Sequence, residues 1–202
     1  MMGKQGIKTA VFGVLCNFIL FLIKLYVGIS SNSLAIYVDS INNLGDTLSC
    51  FIAIACFVFV LKTNEEKKGG RIQSLSSFVI GIIVAVTGAS CVYSGLERFT
   101  YPLPVSCSAS YARLICVTAL VKLVMGFVYM RVNKNHPSPV FRALVLDSFL
   151  DFGITVSTLG SFFLIEKFGL ALDGIIGIAI GTLIFVSSAK SVWQQAKNLV
   201  ND

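Results

Sequence analysis

The chain of 202 residues contains one histidine, His136, beside Pro137 in a polar stretch between two apolar segments. Zinc centres favour histidine and cysteine ligands, so this sequence has no imidazole cluster to offer zinc, and His136 reads as a loop residue. Charge is scarce as well. Charged residues make up 13% of the chain, about half of the roughly 25% found in soluble domains, which excludes an ordinary soluble globular protein. The six cysteines, at positions 16, 50, 56, 91, 107 and 116, form no CxxC pair. Most lie in apolar stretches, where cysteine behaves as a small hydrophobe, and they suggest neither a disulfide framework nor a thiolate metal site. No HExxH or GxSxG motif occurs, and no histidine falls within an apolar segment. An intramembrane enzyme therefore ranks last, and the expectation is that the chain is not an enzyme. The opening MMGKQGIKTA has no small-residue cleavage site after its apolar run, so no cleavable signal peptide is expected.

What is present is apolar length. Hydrophobic residues make up 55% of the chain and the mean hydropathy is +0.84. A spanning helix needs roughly 20 mostly apolar residues. Six segments qualify: 7–28, 34–61, 75–95, 111–132, 141–165 and 170–189. The expected fold is all-α, a polytopic membrane protein whose residues 1–202 form a single six-helix transmembrane domain. The connectors KTNEEKKGGR, TYPLPVSCSAS and NKNHPSP are short and polar or carry proline, and the closing WQQAKNLVND is too short and polar to form a domain.

Basic residues set orientation. With the N-terminus inside, the inner ends and loops hold Lys4, Lys8, Lys62, Lys67, Lys68, Arg71, Arg131, Lys134, Arg142, Lys190 and Lys197, against Arg98, Arg113 and Lys167 outside. Both termini are expected in the cytoplasm, in a multi-pass protein of a cell membrane, with the bacterial cytoplasmic membrane the first choice. The net charge of +6 then reflects topology, and no nucleic-acid partner is expected. Two lysines remain within spans. Lys24, near the outer end of the first, is expected to snorkel to the interface. Lys122, near the middle of the fourth, is expected to find a carboxylate.

Four aspartates also lie in these apolar segments, Asp39 and Asp46 in the second and Asp147 and Asp151 in the fifth. A charge at bilayer depth costs roughly 2.5–3.5 kcal/mol on insertion scales and rarely persists without a function. Asp39, Asn42 and Asp46 recur at spacings of three and four, which puts them on one helical stripe with Asn43 alongside; Asp147 and Asp151 also share a face. Where the two faces meet, Asn42, Asp46, Asp147 and Asp151 could supply four oxygen ligands. Asp39 and Asn43 form an alternative pair at the same spacing. One asparagine alone would read as a hydrogen bond between helices; four aspartates and two asparagines in matching register point to a cation site. An all-oxygen set suits Mg²⁺, Ca²⁺ or Mn²⁺, with Fe²⁺ admissible. Ca²⁺ usually takes six to eight oxygens and is disfavoured by so compact a site. Three ionised carboxylates carry a charge that a divalent ion largely offsets. In its absence protons neutralise them, so metal and protons compete for one site. That competition is the basis of antiport if the site opens alternately to each side.

These residues resemble the cation diffusion facilitator family. Asn17, Lys24, Gly28 and Ser33 follow the family's opening pattern. Asn42-Asn43-Leu44-Gly45-Asp46 resembles its second-helix motif, a ligand followed four residues later by aspartate, and Asp147-Ser148-Phe149-Leu150-Asp151 resembles its fifth-helix motif. The segment VKLVMGFVYMRVNK, with Lys122 and Met125, looks like the family's fourth helix. The resemblance covers nearly the whole chain. It implies a divalent cation efflux transporter, with metal leaving and protons entering, and with Asn42, Asp46, Asp147 and Asp151 as metal ligands. Asp39, Asn43 and Lys122 are auxiliary; Asp39 matches an acidic residue that commonly precedes the motif, which favours the Asn42/Asp46 pair. Zinc-type members have histidine where this chain has Asn42, and asparagine there is similar to the manganese-type branch. The implied cargo is therefore Mn²⁺ before Fe²⁺ or Zn²⁺, with no resident cofactor.

Two features depart from the family pattern. The family's Gly-His-Gly-Arg segment appears here as Gly69, Gly70 and Arg71 without the histidine, so an accessory metal site there is not expected. Members usually carry a cytoplasmic metal-binding domain after the sixth helix, whereas this chain stops at Asp202, as a short form or as part of a longer protein. The alternative function is a non-transporting membrane subunit that partners a full-length relative. Gly81, Gly88 and Ser90 in the third span could let helices approach closely, either within one chain or across a homodimer.

Overall fold

The computed structural model describes residues 2–63, 66–135, 139–168 and 171–201. Among them are six α-helices and no strand: α1 (Met2–Ser31), α2 (Leu34–Thr63), α3 (Glu66–Thr100), α4 (Ala109–Asn135), α5 (Pro139–Phe168) and α6 (Ala171–Asn201). His136 lies outside the described residues. Over Lys8–Ser31, Phe78–Thr100, Ala109–Asn135 and Leu172–Val200 the helices are long and apolar enough to cross a bilayer.

The helices overrun the apolar segments that announce them. α3 begins at Glu66 instead of 75, and α6 continues to Asn201 instead of stopping at 189. Lys67, Lys68, Gln73, Gln194, Gln195 and Lys197 in these extensions are good helix formers. Leaving the apolar run changes the solvent without breaking the helix.

The distribution of side chains is inverted relative to a soluble protein. Leu15, Ile19, Ile83, Val86, Leu150 and Leu183 all face outward, each more than half exposed. Asn17, Lys24, Asp39, Asn43, Thr118, Lys122, Asp151 and Thr155 are buried. Water would reverse that arrangement, since charged residues are almost never fully buried in soluble proteins unless paired. Lipid favours it, because an apolar exterior costs nothing there and polar groups satisfy one another inside. The chain is a membrane protein.

Glycine permits a close contact between α3 and α6. A Cβ at Gly88 would stand 2.8 Å from the backbone nitrogen of Phe185, one at Gly95 2.6 Å from Ile178, and one at Gly81 2.7 Å from Val192. As α3 advances its partners run backward, so α3 and α6 pack antiparallel with backbones nearly touching. Of the third-span positions, Gly81 and Gly88 are used for packing inside the chain. Ser90 stays exposed.

One end of the bundle is tied by a polar knot. Asn32, between α1 and α2, has a left-handed φ of 56°, a conformation asparagine tolerates better than most residues. Ser33 caps α2, its Oγ accepting from the Ile36 amide at 3.4 Å. Asp173, in the first turn of α6, accepts from Ser33 Oγ at 2.6 Å and from the Leu34 and Ala35 amides at 2.8 and 3.3 Å. A carboxylate from another helix thus completes the cap and meets the positive end of the α2 dipole. Arg98, at the end of α3, donates to the Asn32 carbonyl at 2.9 Å and lies 4.0 Å from Asp173. Asp173 belongs with the four aspartates as an acid within an apolar segment, and the same test on the sequence would have flagged it.

Candidate metal centre

The site forms where α2, α4 and α5 meet. Asn42 and Asp46 sit one turn apart on α2, Asp147 and Asp151 one turn apart on α5, and α4 delivers Lys122. One oxygen from each of Asp46, Asp147 and Asp151 lies within 4.8 Å of the others. Asn42 Nδ2 donates to Asp151 Oδ1 at 2.5 Å. Lys122 Nζ donates to Asp46 Oδ2 at 3.0 Å and also hydrogen-bonds Asp151 Oδ2. All four ligand candidates drawn from the second and fifth spans therefore converge, and Lys122 has the carboxylate partners its depth required. Asp46 is the most accessible member of its ion pair: its side chain is 15% exposed, against 1% for Lys122.

Asp39 and Asn43 do not join them. Asp39 pairs with Lys24 at 2.9 Å, both side chains fully buried. This corrects the snorkelling expected of Lys24: the ammonium points into the bundle, because a buried carboxylate and the Thr155 hydroxyl offer it partners there. Lys24 Nζ donates to Thr155 Oγ1 at 2.7 Å. Thr155 Oγ1 lies within hydrogen-bonding distance of Asp39 Oδ2, at 3.1 Å, and of the Asp151 carbonyl, at 2.8 Å, and its single proton serves one of them at a time. Asn43 Nδ2 turns back along its own helix to the Asp39 carbonyl at 2.9 Å. The pair that converges with Asp147 and Asp151 is therefore Asn42/Asp46, while Asp39 meets α5 further along, at Thr155, and Asn43 turns back on its own helix.

Asn17 is a neighbour that sequence reasoning did not place at the site. A Cβ at Gly13 would meet Cys50 and one at Gly28 would meet Tyr37, so α1 runs antiparallel to α2 and Asn17 stands level with Asp46. Phe12 meets Tyr129 and Tyr26 meets Tyr111 edge-on, which likewise sets Asn17 level with Lys122. Asn17 is 3% exposed and its Oδ1 has no hydrogen-bond partner among the described residues. The signal in the sequence was a lone amide within the apolar first span.

The cation efflux transmembrane domain model matches residues 10–200. The chain belongs to this cation efflux family. Over 195 residues it is 26% identical to zinc transporter ZitB of Escherichia coli (strain K12), a match covering 95% of this chain and 60% of that protein. ZitB of Shigella flexneri matches to the same extent. Metal tolerance protein 4 of Oryza sativa subsp. japonica is 24% identical over 195 residues, covering 92% of this chain and 48% of that protein. The chain thus spans between about half and three-fifths of the length of these curated relatives. Membership places the chain in a family of membrane cation transporters, over the transmembrane domain they share.

Proposed function

We propose that the chain moves a divalent cation across the membrane in exchange for protons, with Asp46, Asp147, Asp151 and Asn42 as the ligands and Mn²⁺ preferred over Fe²⁺ and Zn²⁺. The observation that carries this reading is the convergence of three carboxylates from two helices to within 4.8 Å. Three like charges gathered away from water repel one another and cost desolvation, and a hard divalent cation relieves both penalties. The cation preference follows from donor chemistry. The converging groups are three carboxylates and an amide, with no imidazole and no thiolate among them, and hard oxygen donors suit Mn²⁺ better than Zn²⁺. The zinc transporter among the relatives makes Zn²⁺ the competing cargo, and Asn42 is the residue on which the choice turns. Proton coupling follows because metal binds only ionised carboxylates, so metal affinity falls as the medium is acidified. In this reading all six helices span the membrane, as one domain with both termini on the cytoplasmic side of a bacterial membrane.

The test is flux in proteoliposomes with an internal pH dye and a panel of Mn²⁺, Fe²⁺, Zn²⁺ and Mg²⁺. Metal should cross with an opposing proton signal and with Mn²⁺ fastest. Metal flux without a dye response would leave a uniporter, and no flux of any ion would leave a non-transporting subunit. Asn42→His should raise the Zn²⁺ to Mn²⁺ ratio by roughly tenfold, since imidazole is a good zinc ligand. An unchanged ratio would remove Asn42 from the ligand set.

A further inference from the structure

The cluster already contains a cation. Lys122 Nζ stands 3.0 Å from Asp46 Oδ2 and is hydrogen-bonded to Asp151 Oδ2, so it holds one carboxylate oxygen of α2 and one of α5. It is 1% exposed. With every group ionised, three carboxylates and one ammonium leave a charge of −2, which one divalent ion cancels. A metal ion of the Mg²⁺ kind sits about 2.0–2.1 Å from its oxygens. It cannot share those two oxygens with an ammonium on the same side of them, because two cations so close repel strongly away from water.

We propose that Lys122 is a tethered counter-cation, which occupies the carboxylates of the metal-free protein and must swing away before a divalent ion can bind. The inference rests on the reading of the cluster as a metal site and adds how that site is regulated. Lysine suits this role because its charge is compact and sits on a flexible four-carbon stem. The released ammonium has an acceptor at its own height, the Asn17 Oδ1 that lacks a partner among the described residues. Metal and ammonium then alternate as the bridge between α2 and α5. The site avoids the full repulsion of its carboxylates when empty, and bound metal always faces an internal competitor that favours its release.

A purely structural Lys122, one that only orients the carboxylates, makes the opposite prediction for binding. Mn²⁺ and Zn²⁺ titrations of purified wild-type protein, Lys122→Met and Lys122→Arg separate the two. If the ammonium competes with metal, Lys122→Met should bind roughly tenfold tighter, the factor corresponding to about 1.4 kcal/mol. Lys122→Arg, whose planar fork grips carboxylates more firmly, should bind more weakly than wild type. Unchanged or weaker binding by Lys122→Met overturns the proposal while leaving the metal site standing. Should Lys122→Met not fold, reductive methylation of the wild-type protein provides the test: Mn²⁺ should increase labelling of Lys122, and metal-insensitive labelling overturns the proposal. Wild-type protein that binds neither ion overturns this proposal together with the metal-site reading beneath it.

Discussion

Two buried charge centres share helix α2 and differ in balance. At Asp39 one carboxylate meets one ammonium, Lys24, at 2.9 Å, with the Thr155 hydroxyl completing the group. About two turns further along, Asp46 joins Asp147 and Asp151 around the ammonium of Lys122. The first centre is balanced in charge, with Asp39 Oδ2 held by Lys24 and Thr155, although Asp39 Oδ1 has no hydrogen-bond partner among the described residues. The second carries more negative charge than its own residues can cancel. Both centres pair aspartate with lysine, but the ratio of charges differs. A matched pair joins helices and needs nothing further, whereas an unmatched cluster is stable only with a cation or protons supplied from outside. The first is therefore proposed as scaffold and the second as the transport site.

That contrast can be broken most sharply at the unmatched centre. Asp147→Ala, Asp46→Ala and Asp151→Ala should each reduce metal flux to the level of empty liposomes, since each removes an anionic ligand and a proton carrier. Asp147→Ala should leave the thermal midpoint at or above that of wild type, because it relieves repulsion and takes no partner from Lys122. Wild-type flux in Asp147→Ala would remove Asp147 from the site.

The matched centre should respond the other way. Lys24→Met leaves Asp39 buried without a counter-charge, a loss typically worth about 3–5 kcal/mol. Unfolding in mixed micelles should show that loss. Lys24→Met combined with Asp39→Leu should recover most of it, because replacing a whole buried pair by apolar groups is often nearly neutral. A double variant as unstable as the single one would mean that the pair does more than neutralise itself.

Away from either centre the effects are smaller and come from packing alone. Gly88→Val forces a side chain against the Phe185 backbone, where even a Cβ has only 2.8 Å, and overpacking of this kind costs about 1–3 kcal/mol. Gly153→Ala meets nothing within 4 Å and should leave the unfolding midpoint unchanged within error. Equal effects at the two glycines would contradict the close α3–α6 contact.

Much of this architecture was legible in the sequence because a bilayer leaves few options. Apolar length marks helices, and an acid inside such a length marks something to be explained. Helical spacing alone put Asn42 and Asp46 on one face and Asp147 and Asp151 on another. Spacing could not choose between Asn42/Asp46 and Asp39/Asn43, since both pairs are four apart; the choice depends on the rotation of α2 against α5. Nor could it place Lys24, whose position near a helix end is compatible with an aqueous or a buried ammonium until Asp39 is known to face it. The role of Asp173 was hidden for a different reason: a cap supplied from another helix leaves no local motif. The intramolecular use of Gly81 and Gly88 follows from pairing α3 with α6, a long-range choice that a glycine period does not specify.

The central claim is that the unmatched cluster, and not the matched pair, holds a divalent cation. Equilibrium binding of Mn²⁺ to purified wild type, Asp39→Asn and Asp147→Asn at one fixed pH tests it directly. Wild type and Asp39→Asn should each bind one ion per chain with similar affinity, and Asp147→Asn should lose about a hundredfold or more in affinity, roughly the 2.7 kcal/mol that such a factor represents. Undiminished binding by Asp147→Asn, or binding lost in Asp39→Asn alone, would contradict it.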